Sequence, residues 1–337
     1  MKKILFIAIF FILAGYVSAA TKVAIVFDAG GKFDRSFNQS AYEGALKAKK
    51  DLKIDLKDVE PGDTAAVEEA FRTFAKQKFD LVLGIGFANA PGLEKVAKEN
   101  PGVKFGIVDS VVDLPNVASL VFKEQEGSFL VGMMAAMRAR EVDGKKVVGF
   151  IGGMDIPLIH KFEQGYIQGA KTVDSNVVVE VNYVGNTPTA WNDPAKANEI
   201  AKAQMNKGAT VIYSAAGGSG NGLFDAIKEV NGTEPCLPNL KDCVYAIGVD
   251  SNQNYIVPGQ ILTSMTKRVD VAIYEVIKSV VNNKFKGGIS VFGLAEDGVG
   301  YSYDRYNVSL VTKKMRSVID KYKKDIINGK ITVKSER

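Results

Sequence analysis

Few side chains in this sequence are placed to make or break a covalent bond. There is one histidine, His160 in DIPLIHKF, and no GxSxG elbow that would give it a serine partner. His160 is therefore expected to serve structure rather than catalysis. The two cysteines, Cys236 and Cys243 in PCLPNLKDC, together with that histidine fall short of a familiar metal-ligand set. What the chain does offer is glycine and carboxylate at the ends of apolar runs: Phe27-Asp28, Gly86-Phe87, Asp109-Ser110, Gly152-Gly153, Gly217-Gly218 and Asp250. Such groups accept hydrogen bonds and admit close backbone approach, which suits holding a molecule better than converting it.

Five stretches carry the binding chemistry. In FDAGGKFDRSFNQS (27–40), Gly30 and Gly31 allow a sharp turn and Ser36 to Gln39 fits a capping box, Ser36 capping and Gln39 reaching back. Phe37 and Asn38 then fall in the first helical turn, facing a cleft; alternatively this is a plain cap with Phe37 in the core. The stretch is neither a GxGxxG nor a Walker loop. AAGGSGNG (215–222) has the wrong glycine spacing for a dinucleotide loop. Gly217 and Gly218 could bring amides close to a ligand oxygen, or form a flexible turn. Asp250 in IGVDSNQNY and Lys267 in TSMTKRVDVAI suit paired hydroxyls, one accepting and one donating, unless they form a solvent-exposed ion pair. Trp191 in TPTAWNDP is the sole tryptophan and sits in a loop where no core needs it.

The elements that position these residues alternate along the chain. KVAIVFD, FDLVLGIG and KFGIVDS are continuous apolar runs between helix-like segments, and KVVGFIGG, VVVEVNYVG, ATVIYSAAGG and CVYAIGVD restart the pattern after residue 145. Runs of this kind form parallel strands covered on both faces. The fold class is α/β, with two parallel sheets in tandem. In open parallel sheets ligands sit beyond the carboxyl ends of the strands. Two lobes whose strand ends face each other across a hinge make a closing clamp.

The first twenty residues, MKKILFIAIFFILAGYVSAA, have the basic, apolar and small-residue regions of a secretory signal peptide. Leu13-Ala14-Gly15 begins like a lipoprotein box, but Tyr16 stands where the lipid-carrying cysteine belongs. The expectation is a soluble periplasmic or secreted protein. Without Lys2 and Lys3 the balance is 41 basic against 38 acidic residues, too mild to argue for nucleic acid or a membrane surface. Export and the short spacing of Cys236 and Cys243 predict a small disulfide-closed loop.

Taken together, DRSFNQSAYEG, KEQEGSFLVG, GGMDIPLIHKFEQGYIQGA, WNDPAKA, SAAGGSGNG, IGVDSNQ, SMTKRVDVAI and LAEDGVGY resemble, in order and over the whole mature chain, the basic membrane protein family of ABC-transporter substrate-binding proteins. The resemblance implies two Rossmann-like lobes joined by three hinge crossovers, the type I periplasmic-binding-protein fold. The crossovers are expected near 121–125, 251–256 and 284–292. One lobe would then be 21–123 with 254–288, the other 124–253 with 289–337. It implies a purine-nucleoside receptor (for inosine, guanosine or adenosine) that serves a permease of the inner membrane, as a monomer, with no cofactor and no catalysis. Carried over, Phe37 and Trp191 sandwich the base, family members often having phenylalanine at the second position. Asp34 and Asn38 read the polar edges of the base. Asp109, Asp250, Lys267 and the Gly217-Gly218 backbone hold the ribose hydroxyls. A sugar or autoinducer receptor on the same fold is the alternative; a nucleoside hydrolase would need a metal or activated water that the sequence does not supply.

Overall fold

The computed structural model describes residues 20–236 and 243–337. The signal-peptide assignment therefore lies outside the described residues, except for Ala20, as do residues 237–242 between the two cysteines. Those cysteines are joined, with Cα atoms 6.1 Å apart.

Apolar runs become strands and amphipathic segments become the helices between them. The first sheet is built from β1 (Lys22–Val26), β2 (Asp55–Val59), β3 (Leu81–Gly84), β4 (Lys104–Val108), β5 (Val117–Phe122) and β11 (Gly288–Phe292). Its order is β11-β5-β4-β3-β1-β2 and every pairing is parallel. The second holds β6 (Val147–Met154), β7 (Val178–Gly185), β8 (Ala209–Ala215), β9 (Tyr245–Asp250), β10 (Ile261–Lys267) and β12 (Val299–Tyr301), in the order β12-β10-β9-β8-β6-β7. Only the β10–β12 pair is antiparallel. Central strands are buried along their whole length, as sheets covered by helices on both faces require.

Helices α1 (Phe37–Leu52), α2 (Thr64–Lys76), α3 (Ala90–Glu99) and α8 (Val269–Val281) cover the first sheet. Around the second lie α4 (Glu124–Arg138), α5 (Pro157–Val173), α6 (Pro194–Asn206), α7 (Asn221–Asn231) and α9 (Lys313–Ile327). The small residues of α4 let it press onto α5: a methyl added at Gly132 would lie 2.2 Å from the Tyr166 carbonyl. The α6 start combines Pro194 at its first position with Asp193 accepting from the Lys196 amide.

The chain changes lobe three times, at Lys123, at Arg268 and after Phe292. The second crossing differs from the expected 251–256. That polar stretch turns back into its own lobe, and β10 pairs with β9 from Ile261↔Ala246 to Thr266↔Asp250. Residues 254–267 thus belong with the second sheet rather than the first lobe. Residues 289–292 belong with the first, because β11 pairs with β5 through Phe292↔Phe122.

Candidate functional site

The carboxyl ends of β1, β3, β4, β8, β9 and β10 converge on an interlobe cleft. Asp28, Asp34, Phe37, Asn38, Phe87 and Asp109 line it from the first lobe; Leu158, Ile159, Phe162, Trp191, Gly217, Asp250 and Lys267 line it from the second. The lobes are in contact. The Ser36 hydroxyl donates to Asp250 Oδ2 at 2.6 Å, the Ser251 hydroxyl donates to the Ser36 carbonyl at 3.0 Å, and the Gln253 amide donates to the Arg35 carbonyl at 2.9 Å.

The expected capping box at α1 does not form. Ser36 makes no side-chain cap bond, because its hydroxyl crosses to the other lobe, and Gln39 reaches forward to Glu43. Asp34 is the cap. Its carboxylate accepts from the amides of Ser36 (2.8 Å), Asn38 (3.0 Å) and Gln39 (3.1 Å), satisfying the free N–H groups of the helix start. Burial nevertheless pushes the Asp34 carboxyl up to about 7, against the lowering pull of those amides. Asp34 therefore lines the cleft with both carboxylate oxygens already engaged.

Asn38 is held by its Nδ2, which donates to Asp28 Oδ1 at 2.7 Å, and its Oδ1 is buried without a donor. Asp109 and Asp250, at the ends of β4 and β9, both adopt left-handed backbone (φ 64° and 62°), a strained conformation for a non-glycine residue that clusters at functional sites. Lys267 is 1% exposed, and its ammonium lies 2.6 Å from Asp109 Oδ2 and 3.0 Å from Glu124 Oε1. It is a buried inter-lobe contact, not an exposed ion pair, and it pairs with Asp109 and Glu124 rather than with Asp250. Burial lowers the Lys267 pKa, but the carboxylates of Asp109, Glu124 and Asp250 outweigh it and hold the amine above its usual range, so it stays charged. Burial raises Asp109 to about 6 against the pull of Lys267, and also raises Asp28 and Asp250. Asp109 keeps one oxygen, Oδ1, buried and without a donor.

The cleft walls are aromatic. Trp191 closes a short 3-10 turn, Pro188–Trp191, and its indole lies on Gly153, where a methyl would come within 2.1 Å of Cζ3 and 2.5 Å of Cε3. Its edge-to-face ring neighbour is Phe87, 6.4 Å between centroids. Phe37 flanks the Lys267 ammonium at 5.2 Å and Phe162 flanks it at 5.5 Å. Of the nine binding residues expected from sequence, eight line the cleft. Gly218 does not: its carbonyl accepts from Asn221 Nδ2 at 2.8 Å, and its α-carbon packs toward the Trp191 carbonyl. Asp28 and Phe87 were not assigned a role from sequence, although both stand at strand ends. Leu158, Ile159 and Phe162 come from a helix and carry no local signal that separates them from ordinary core residues. His160 bonds Asp155 at 2.5 Å.

A family model described as Bmp, ABC transporter substrate-binding protein PnrA-like, matches residues 21–337. The chain belongs to the Bmp family. As a Bmp protein it is a substrate-binding protein of the ABC-transporter class. A Bmp relative from Lactococcus lactis subsp. cremoris, named ABC transporter nucleoside-binding protein BmpA, is 34% identical over 338 residues, covering 96% of this chain and 92% of its own. A solved ABC-transporter solute-binding protein from Aeropyrum pernix K1 superposes with a TM-score of 0.83 at 29% identity, covering 94% of this chain and 93% of its own.

The relatives correct one expectation. A Pyrococcus horikoshii protein 37% identical over 283 residues, 83% of this chain and 68% of its own, is named a lipoprotein, as are relatives from two further Pyrococcus species. Relatives from Borrelia garinii and Borreliella burgdorferi are named basic membrane proteins. These names denote membrane attachment and overturn the expectation of a soluble, untethered protein. Tyr16 bears on one chemistry of attachment alone, the thioether to lipid, and does not by itself support an untethered protein. Among the described residues no helix is long and apolar enough to cross a membrane.

Proposed function

We propose that the cleft captures a purine nucleoside, inosine, guanosine or adenosine, between closing lobes and presents it unchanged to an ABC permease. The observation that carries this reading is a pair of buried acceptors without donors, Asn38 Oδ1 and Asp109 Oδ1, on residues lining a cleft walled by Phe37, Phe87, Phe162 and Trp191. Buried acceptors left unpaired are costly, so the ligand that fits must bring at least two N–H or O–H donors along with an apolar face. A nucleoside has both: a flat base for the rings and ribose hydroxyls for the carboxylates. Base–aromatic stacking is worth about 1–3 kcal/mol per base in nucleic-acid complexes. In this reading Trp191 and Phe37 flank the base, Asn38 reads its edge, and Asp109, Asp250 and Lys267 hold the ribose.

The charge of the cleft disfavours an anionic ligand, a condition that an uncharged nucleoside satisfies. Asp28, Asp34, Asp109 and Asp250 line it against one ammonium that is already paired. The nucleoside-binding name of the Lactococcus relative supports the same class. Delivery to a permease follows the ABC substrate-binding class, with lobe closure favoured by a ligand that touches both lobes. The test is calorimetric titration with a nucleoside panel, with ribose and free bases as controls. Saturable nucleoside binding without turnover is expected. Saturable ribose binding with no response to any nucleoside would favour the sugar-receptor reading instead.

A further inference from the structure

The segment after α9 lies along the outer side of α5. Gln168 donates to the Thr332 carbonyl at 3.1 Å and accepts from the Lys334 amide at 2.7 Å. The segment then runs toward the start of α5 and ends in a polar knot around Arg337. The guanidinium donates to Glu163 at 2.8 and 3.3 Å, to the Tyr183 hydroxyl at 2.7 Å, and lies 3.1 Å from Asp155. Tyr183 also donates to Glu163, and the Gln164 side chain donates to Glu163 at 3.0 Å. Asp155 is shared with His160.

The positions of these anchors matter. Asp155 precedes α5 and Glu163 lies in its second turn, so the two bracket Leu158, Ile159 and Phe162, the helix residues that line the cleft. Ile159 lies four residues before Glu163 and Phe162 adjoins it, so both turn with Glu163 when that stretch of helix rotates. The second contact runs through Tyr183. A methyl at Gly152 would meet the Tyr183 ring at 2.5 Å and Ile159 Cγ2 at 2.9 Å, and the next residue, Gly153, supports the Trp191 indole. Glu163 is 6% exposed at its side chain while Arg337 is 44% exposed. Removing the arginine would leave a buried carboxylate beside a phenol with no cation, an arrangement that relaxes by moving one of its elements.

We infer that Arg337 is a positioning residue for the ligand cleft: from outside the second lobe it clamps Asp155, Glu163 and Tyr183, and so fixes both the α5 wall and the Gly152-Gly153 floor under Trp191. This rests on the interlobe cleft being the ligand site. It touches no ligand itself, and its planar fork reaches three partners where a lysine could reach fewer.

The sole tryptophan gives a direct readout. In the full chain, Arg337→Ala is expected to weaken inosine binding about tenfold, within the range of coupled contacts, and to raise acrylamide quenching of Trp191 in the ligand-free protein. Arg337→Lys falls between. Glu163→Gln combined with Arg337→Ala loses less affinity than the two single losses together, because no buried charge is then left unpaired. Wild-type affinity and unchanged quenching in Arg337→Ala, or strictly additive losses in the double variant, would overturn the assignment. If Arg337→Ala does not stay folded at the assay temperature, the near-isosteric Glu163→Gln takes its place: raised Trp191 quenching supports the clamp and unchanged quenching overturns it. If the wild-type protein binds no nucleoside, the ligand reading fails, while quenching in the ligand-free variants still decides the clamp.

Discussion

Gly153→Ala should disable the cleft through Trp191 while leaving the fold standing. Gly153 is outside the left-handed region that only glycine tolerates, so alanine costs the backbone nothing there. The entire effect is steric. The new methyl would sit 2.1 Å from Trp191 Cζ3, 2.5 Å from Cε3 and 2.9 Å from Cη2, well inside the 3.5–4.0 Å at which carbon atoms pack. The indole must shift by more than an ångström, and it is half-buried, packed against the edge of the core at the cleft wall. If Trp191 supplies a stacking face worth about 1–3 kcal/mol, losing it weakens nucleoside binding about 5- to 150-fold. Trp191→Ala should lose a similar amount, and the double variant no more than Trp191→Ala alone, since both remove the same contact. Calorimetry on the three variants reads the affinities, and thermal melts of the ligand-free proteins check the fold. Wild-type affinity in Gly153→Ala, or additive losses in the double variant, would refute the reasoning.

Further outcomes follow from the charges and the crosslink. Asp34 titrates near 7 in the fold against an ordinary 3.8, so the folded state holds its proton more tightly. Its contribution to stability is full below about pH 3.8 and is lost as pH rises through about 7; denaturant melts across that window should show a smaller decline in Asp34→Asn than in wild type. Adenosine 5′-monophosphate should bind at least about 100-fold more weakly than adenosine, because like charges brought together cost several kcal/mol; equal affinity in calorimetry would count against the neutral-ligand reading. Replacing Cys236 and Cys243 by alanine should cost about 2.5 kcal/mol from the short closed loop, seen as a lower denaturation midpoint, with nucleoside affinity unchanged because neither residue lines the cleft.

Much of the scaffold is legible in the sequence because parallel strands buried on both faces must be continuous apolar runs, and the residues that end them must face the crevice. That rule alone points to Asp109, Gly217 and Asp250. It marked Asp28 and Phe87 equally, but nothing local distinguishes a strand-end residue that faces a ligand from one that turns a loop. Ser36 misled for a different reason. Its S-x-x-Q spacing is a local signal, while the Asp250 carboxylate that captures its hydroxyl is 214 residues away. The same limit hides the lobe of residues 254–267: a polar, turn-rich stretch reads as a crossover, and only the pairing of β10 with β9 returns it to the second sheet. Phe162 and Arg337 are invisible for the same cause, since one is an ordinary apolar helix position and the other acts through partners more than 150 residues away.

Trp191 is the only indole in the chain, and it stands on the cleft wall. Its fluorescence during titration with inosine therefore reports the proposed base sandwich without any label. The account predicts a saturable change in emission with inosine, guanosine or adenosine and none with ribose. A saturable change with ribose, or nucleoside binding that leaves the Trp191 emission untouched, would contradict it.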